Sequence, residues 1–242
     1  MVARMSGEII VGHALWQVLS HGSTYLPQQV GVYGASETGK TTLDMQLTTK
    51  GEIRPLGEDD RTHHGKSWLG REKMPEATRK RVKSEGLTSR TLITRDVGGH
   101  AEYQNMWLRD MIQRNARTVV VVIDHRHLEE PRNTDNQIAL GYLVESLAKN
   151  VVPKGLSIRA RLRAKKYAPS RLILIANKAD RWMEDEDFYT WERGLIARHK
   201  IFDVFRNELY RLQKMHIPVH MDAVSARYGW NVEGAILKGM KI

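Results

Sequence analysis

The residues with the clearest chemical purpose are Gly34-Ala35-Ser36-Glu37-Thr38-Gly39-Lys40-Thr41. A glycine, four residues, then Gly-Lys-Thr is the spacing of a loop that wraps phosphate. The glycines let the backbone curl until its N–H groups face inward at anionic oxygens. Lys40 is placed to reach the outer phosphates, and the Thr41 hydroxyl is a hard oxygen ligand for Mg²⁺. The setting suits the motif: a short apolar strand is expected at residues 30–33 and a helix at about 40–48. The N-terminus of that helix would add partial positive charge. Gly34, Ser36, Glu37, Thr38, Gly39, Lys40, Thr41 and Thr42 are the candidate contacts to the phosphate side of a nucleotide.

A second group chooses the base. Asn177-Lys178-Ala179-Asp180 follows an apolar run at residues 171–176, which reads as a buried strand. Ligands of open α/β sheets bind at the carboxyl ends of such strands. The Asp180 carboxylate can accept hydrogen bonds from the N1–H and exocyclic amine of guanine. Adenine lacks that donor pair and would leave the carboxylate unpaired. Asn177 and the stem of Lys178 can brace the base and the phosphate loop. This group argues for a guanine nucleotide and against a small-molecule kinase.

With these two motifs in order, the chain resembles the Ras-like and translation-factor branch of P-loop GTPases over residues ~28–235. Asp96-Val97-Gly98-Gly99 looks like that family's Asp-x-x-Gly element. The resemblance implies that Asp96 holds Mg²⁺ through a water and that the Gly99 N–H meets the γ-phosphate. It implies that Ser225-Ala226 touches guanine O6 through backbone N–H. His100, after the glycine, stands where small GTPases often carry Gln and translational GTPases carry His; either can orient the attacking water. The family also needs a threonine in the first switch loop, sensing Mg²⁺ and γ-phosphate. Thr78, just ahead of an expected hairpin, is the first candidate and Thr62 the second. The implied cofactors are GTP or GDP and Mg²⁺, with Thr41, Thr78 and Asp96 as metal ligands and His100, Lys40 and Thr78 as catalytic residues. Ser36 stands where many Ras-like proteins have Gly, and slow intrinsic hydrolysis is the expectation.

The positioning elements read as alternating strand and helix, the pattern of an α/β domain with a mainly parallel sheet and helices on both faces. Residues 50–77 read as a long polar loop, followed by an antiparallel hairpin made from residues 79–83 and 90–95. Helices are expected at about 101–115, 134–150 and within 186–215, and strands at 118–123 and 217–223. The domain division is an N-terminal helical extension at residues 1–26 and a nucleotide domain at 27–242. Residues 151–169 read as a basic insertion. There Arg159, Arg161, Arg163 and Lys165 alternate as they would on one face of a strand. Residues 8–19 read as an amphipathic helix packed on the core, with a membrane-surface contact the less favoured reading.

Composition sets the remaining bounds. The chain has 242 residues, enough for a full hydrophobic core, and no cysteine, which excludes disulfides and Cys-based zinc sites. No apolar run approaches the ~20 residues of a spanning helix, and the cytoplasm is the expected compartment. The formal net charge of +10 leaves RNA, an anionic membrane or an acidic protein face open as partners. A regulatory or effector protein is expected for a switch. Two alternatives stand beside the hydrolase: a guanine-nucleotide-binding module with little turnover, and an RNA- or ribosome-associated GTPase. Trp68, Trp107, Trp182, Trp191 and Trp230 are scattered and read as packing or partner contacts.

Overall fold

Runs of β-branched residues with no polar interruption must be buried on both faces, and they set the centre of this fold. A computed structural model describes residues 28–47, 66–69, 92–96, 98–99 and 101–241. Within them six strands form one sheet: β1 (Gln28–Tyr33), β2 (Lys66–Leu69), β3 (Leu92–Asp96), β4 (Thr118–Ile123), β5 (Arg171–Ala176) and β6 (Val219–Ala223). The spatial order is β2-β3-β1-β4-β5-β6. Every neighbouring pair is parallel except β2 with β3.

The pleat splits β4 and β5 between two cores. Val119, Val121, Ile123, Leu172, Leu174 and Ala176 face one layer of helices. Val120, Val122, Ile173 and Ile175 join Val30 and Val32 on the other face. The first layer is built from α2 (Ala101–Arg114) and α4 (Asp135–Ala148), each with apolar residues at helical spacing. Trp107, Leu108, Met111 and Ile112 are the buried stripe of α2, and Ala139, Leu140, Leu143, Val144 and Leu147 that of α4. The opposite layer uses Leu43 of α1 (Lys40–Gln46) and Val232, Ala235 and Ile236 of α9 (Val232–Lys241). Each of these larger side chains is worth about 1.5–3 kcal/mol on burial. The fold is therefore α/β, with a mainly parallel sheet covered on both faces.

Three expectations need correction. The antiparallel partner of β3 is β2, inside the stretch read as loop, with Trp68 opposite Thr94. Its four residues, Lys66-Ser67-Trp68-Leu69, show no polar-apolar alternation and are too few to stand out from their charged surroundings. Residues 79–83, the expected partner, lie outside the described residues, as do residues 8–19. The basic stretch near residue 160 is not extended: Ile158–Ala164 is a helix, α5, because Ser157 caps its start by accepting from the Ala160 N–H at 3.3 Å. The expected long helix within 186–215 is divided. It comprises α7 (Asp185–Glu192), two 3₁₀ turns at Ile196–Arg198 and Lys200–Phe205, and α8 (Arg206–Lys214). Gly194, with φ +71°, ends the first piece, since a left-handed residue cannot continue a right-handed helix. Two short helices, α3 (Arg126–Glu129) and α6 (Ala179–Trp182), follow the ends of β4 and β5.

Two histidines in the first layer make stability depend on pH. Burial pushes the His127 imidazole below its usual range although its Nε2 lies 3.1 Å from the Ile201 carbonyl. Burial also pushes His199 down, against the opposing pull of Asp187 at 3.1 Å. Both groups bind protons more readily when unfolded. Their contribution is complete above the ordinary histidine value of about 6.5 and is lost as pH falls through and below it. The urea midpoint should therefore drop between about pH 7.5 and 5.5, and the double variant His127→Gln/His199→Gln should show a flatter profile. A midpoint constant across that interval would contradict this account.

Candidate functional site

Five parallel strands run in one direction, so their carboxyl ends lie along one edge of the sheet. β1 delivers the loop at residues 34–39 there, and β3 delivers Asp96, Gly98 and Gly99. β4 delivers Asp124, β5 delivers residues 177–180, and β6 leads to Ser225. Segments distant in sequence become neighbours through strand order alone.

The phosphate-type loop is closed from within. Thr38 Oγ1 donates to the Ala35 carbonyl at 3.1 Å, and Lys40 Nζ donates to the same oxygen at 2.6 Å. Gly39 has φ +86° and precedes α1; a Cβ there would lie 2.3 Å from Asn177 Nδ2. Both the conformation and the close approach require glycine. Thr38 and Lys40 are buried, while Thr41 and Thr42 are half-buried in the first turn of α1.

Asn177 ties three loops together. Its Nδ2 donates to the Thr38 carbonyl at 2.8 Å, and its Oδ1 accepts from the Ala226 N–H at 2.9 Å. Trp182 Nε1 donates to the Asn177 carbonyl at 2.9 Å and fixes the turn. Asp180 is exposed, and its Oδ1 accepts from Ser225 Oγ at 2.5 Å. The carboxylate is thereby oriented at the edge shared with the loop. The Ala226 N–H, expected to face guanine O6, is turned inward onto Asn177.

A polar cluster that the motif reading did not find supports the loop from the β4 side. Asp124 is fully buried. It accepts from Lys178 Nζ at 2.8 Å, from Arg126 Nε at 2.9 Å and from Asn136 Nδ2 at 3.0 Å. Burial opposes its ionisation, yet the hydrogen bond and charge of Lys178, aided by Asn136 and Arg126, hold the carboxyl below its usual range. Arg126 also donates through Nη2 to the Ser36 carbonyl at 2.7 Å. One guanidinium thus joins the buried carboxylate to the third position of the loop. The available signal was positional: Asp124 directly follows the valine run, at the edge where the other motifs gather.

The Asp-x-x-Gly segment lies against the loop. A Cβ on Gly99 would fall 2.5 Å from Lys40 Nζ and 2.6 Å from the Ala35 carbonyl, so no larger residue fits without displacing the backbone. Trp107, fully buried on α2, donates from Nε1 to the Gly98 carbonyl at 3.0 Å. Its ring packs 5.7 Å from that of Tyr33, the last residue of β1. Burial, then the charge of Asp110, raises the Tyr33 phenol well above its usual range; its hydroxyl donates to Asp110 Oδ2 at 2.7 Å. Asp96 ends β3 opposite Val32 of β1, which brings its backbone beside the start of the loop. His100, Thr78 and Thr62 lie outside the described residues. The antiparallel partner of β3 begins at Lys66, after Thr62 and ahead of Thr78 in the chain.

No protein-family model matches the chain, and no curated protein matches it. Among solved structures it is similar to a bacterial selenocysteine-specific elongation factor, EF-Sec, with 17% identity and a TM-score of 0.48. That match covers 89% of this chain and 29% of the other, so the chain spans under a third of the length of that protein.

Proposed function

We propose that this chain binds guanine nucleotide and hydrolyses GTP to GDP, with the two nucleotide states acting as a switch for partner binding. The observation that carries the reading is the linkage of Asp180, oriented by Ser225, to the phosphate-type loop through the single amide of Asn177. A base selector and a phosphate cradle held in fixed relation fit one ligand that carries both a guanine and a phosphate chain.

The roles follow from placement. Asp180 accepts from the guanine N1–H and amine. Lys40 exchanges the Ala35 carbonyl for phosphate oxygens, and loop N–H groups of residues 34–41 take the remainder. The Thr41 hydroxyl and the Asp96 carboxylate are hard oxygen ligands suited to Mg²⁺, whose chemistry when bound is to neutralise charge on the β- and γ-phosphates. Gly99, beside Lys40, donates its N–H to the γ-phosphate. His100, next in the chain, positions the attacking water. Thr62 takes precedence over Thr78 as the residue of the first switch, since it lies just ahead of β2 and the logic of the motif follows the strand. Ser36 adds bulk at the third loop position, and turnover is slow without an activator.

Nucleotide released from the purified protein by denaturation and identified by chromatography should be GDP or GTP. Asp180→Ala removes two charge-assisted hydrogen bonds of about 1.5–3 kcal/mol each, which predicts roughly 10²–10⁴-fold weaker guanine-nucleotide affinity. Adenine nucleotide in the parent, or unchanged affinity in the variant, would sink the reading.

Thr62→Ala should abolish the difference in Mg²⁺-dependent affinity between a GTP analogue and GDP, while Thr78→Ala retains it. The reverse pattern would return the role to Thr78. His100→Ala should slow single-turnover hydrolysis with GDP affinity preserved; a parental rate would remove His100 from the mechanism.

Asn177→Ala leaves the Thr38 carbonyl and the Ala226 N–H without their partner. It should destabilise the protein by about 1–3 kcal/mol in chemical denaturation and weaken nucleotide binding as well. A stable variant with full affinity would show that the two loops hold their relation without it.

A further inference from the structure

Helix α5 presents an unusual surface. Its inner face is small and fixed: Ala160 and Ala164 are buried, and the helix packs on α2. Its approach is tied to the same helix. Arg109 Nη2 donates to the Gly155 carbonyl at 3.0 Å, and Gln113 exchanges hydrogen bonds with Ser157 at 3.1 and 3.2 Å. Downstream, the Tyr167 hydroxyl donates to the Ala116 carbonyl at 2.5 Å. The segment is held at both ends, so its outer face is displayed in a set orientation.

That outer face is aliphatic at its crest. Ile158 is 83% exposed and Leu162 is 78% exposed. At about 3.6 residues per turn, these two stand one above the other, directly opposite Ala160 and Ala164. The same wheel sends Arg159 and Arg163 to one flank of the ridge and Arg161 and Lys165 to the other. Lys166 follows, and Lys154 precedes the helix. No carboxylate among the described residues forms an ion pair with any of these six cations. Val151 and Val152, 46% and 42% exposed, are further exposed aliphatic side chains in the segment that leads to the helix.

We propose that this ridge is a docking surface for an anionic lipid bilayer. An aliphatic crest between two rows of cations matches a membrane interface in section. Ile158 and Leu162 enter the acyl boundary while the long arginine and lysine stems keep their charges at headgroup level. A nucleic acid would satisfy the cations but would gain nothing from two solvent-exposed aliphatic side chains at the centre of the contact. The ridge lies between α4 and the start of β5, at the amino end of the strands and away from the candidate nucleotide edge. Docking there leaves that edge open to solvent and partners. The proposal stands on α5 and does not depend on which nucleotide the chain binds.

Co-sedimentation of the full chain with phosphatidylcholine vesicles, with and without phosphatidylglycerol, tests it. The parent should sediment only with the anionic vesicles, less so as salt rises. Ile158→Ala/Leu162→Ala, which retains good helix formers, should weaken binding roughly tenfold or more. Arg159→Gln/Arg161→Gln/Arg163→Gln/Lys165→Gln should weaken it by roughly fivefold for each charge removed. Both variants should keep the parental melting midpoint and circular dichroism. Failure of the parent to sediment, or unchanged sedimentation of either variant, overturns the proposal. So does single-stranded RNA that displaces the vesicles and binds the aliphatic variant as tightly as the parent, an outcome that would assign the face to nucleic acid.

Discussion

The direction of the strands is the constraint on which the candidate site depends. Parallel neighbours need long crossovers, and the connections from β3 to β4, β4 to β5 and β5 to β6 each return to the opposite end of the sheet before the next strand begins. The consequence is that the carboxyl ends of the five parallel strands open at the same edge. Residues 34–39, 96–99, 124, 177–180 and 225–226 are separated by up to nearly the whole chain, and all arrive there. The double-faced burial of β4 and β5 makes that edge rigid: a strand clamped on both faces cannot tilt to relieve a misplaced loop.

Rigidity at the strand ends is then transmitted by a few buried polar side chains. A buried carboxylate is costly to desolvate, by several kcal/mol, unless it is paired and fully hydrogen-bonded. Asp124 meets that condition through Lys178, Arg126 and Asn136, and each donor belongs to a different part of the edge. Removing one partner would leave charge without compensation, so the arrangement is specified more sharply than an apolar contact would specify it. Asn177 works without charge to the same end, since its amide nitrogen donates to one loop and its amide oxygen accepts from another. The phosphate-type loop is consequently held from two sides, by Asn177 at Thr38 and by Arg126 at Ser36.

What was legible in the sequence followed from periodicity and from short-range motifs. The valine run of β4, the apolar run of β5 and the helical stripes of α2 and α4 carry their signal within a dozen residues, and the structure has them where the pattern places them. β2 was not legible because four residues pair with a strand far along the chain, and nothing local distinguishes them from a loop. Alternating charge at 159, 161, 163 and 165 pointed to a strand because charge is a weak guide to backbone. The Ser157 cap and the two buried alanines are the features that decide for helix. The hydrogen-bonding roles of Asp124 and of Trp107, the latter read only as a packing or partner contact, escaped the motifs for a different reason. Their importance lies in what they bond to across the fold, and no spacing rule encodes a side chain that meets a backbone carbonyl nine residues away or a lysine fifty-four residues away.

The contact between Gly99 and Lys40 is the point at which the proposed nucleotide would meet the static fold. The lysine ammonium is satisfied by the Ala35 carbonyl and sits beside the Gly99 backbone in a space too small for a methyl group. An anionic oxygen entering the loop offers that ammonium a stronger, charge-assisted bond. Under the proposed function, taking it requires Lys40 to leave the carbonyl beside the Gly99 backbone. Trp107 donates to the Gly98 carbonyl and so anchors the segment to α2. A phosphate entering the loop would, on that reading, act on the Asp-x-x-Gly segment through Lys40, because the lysine and Gly99 are already neighbours.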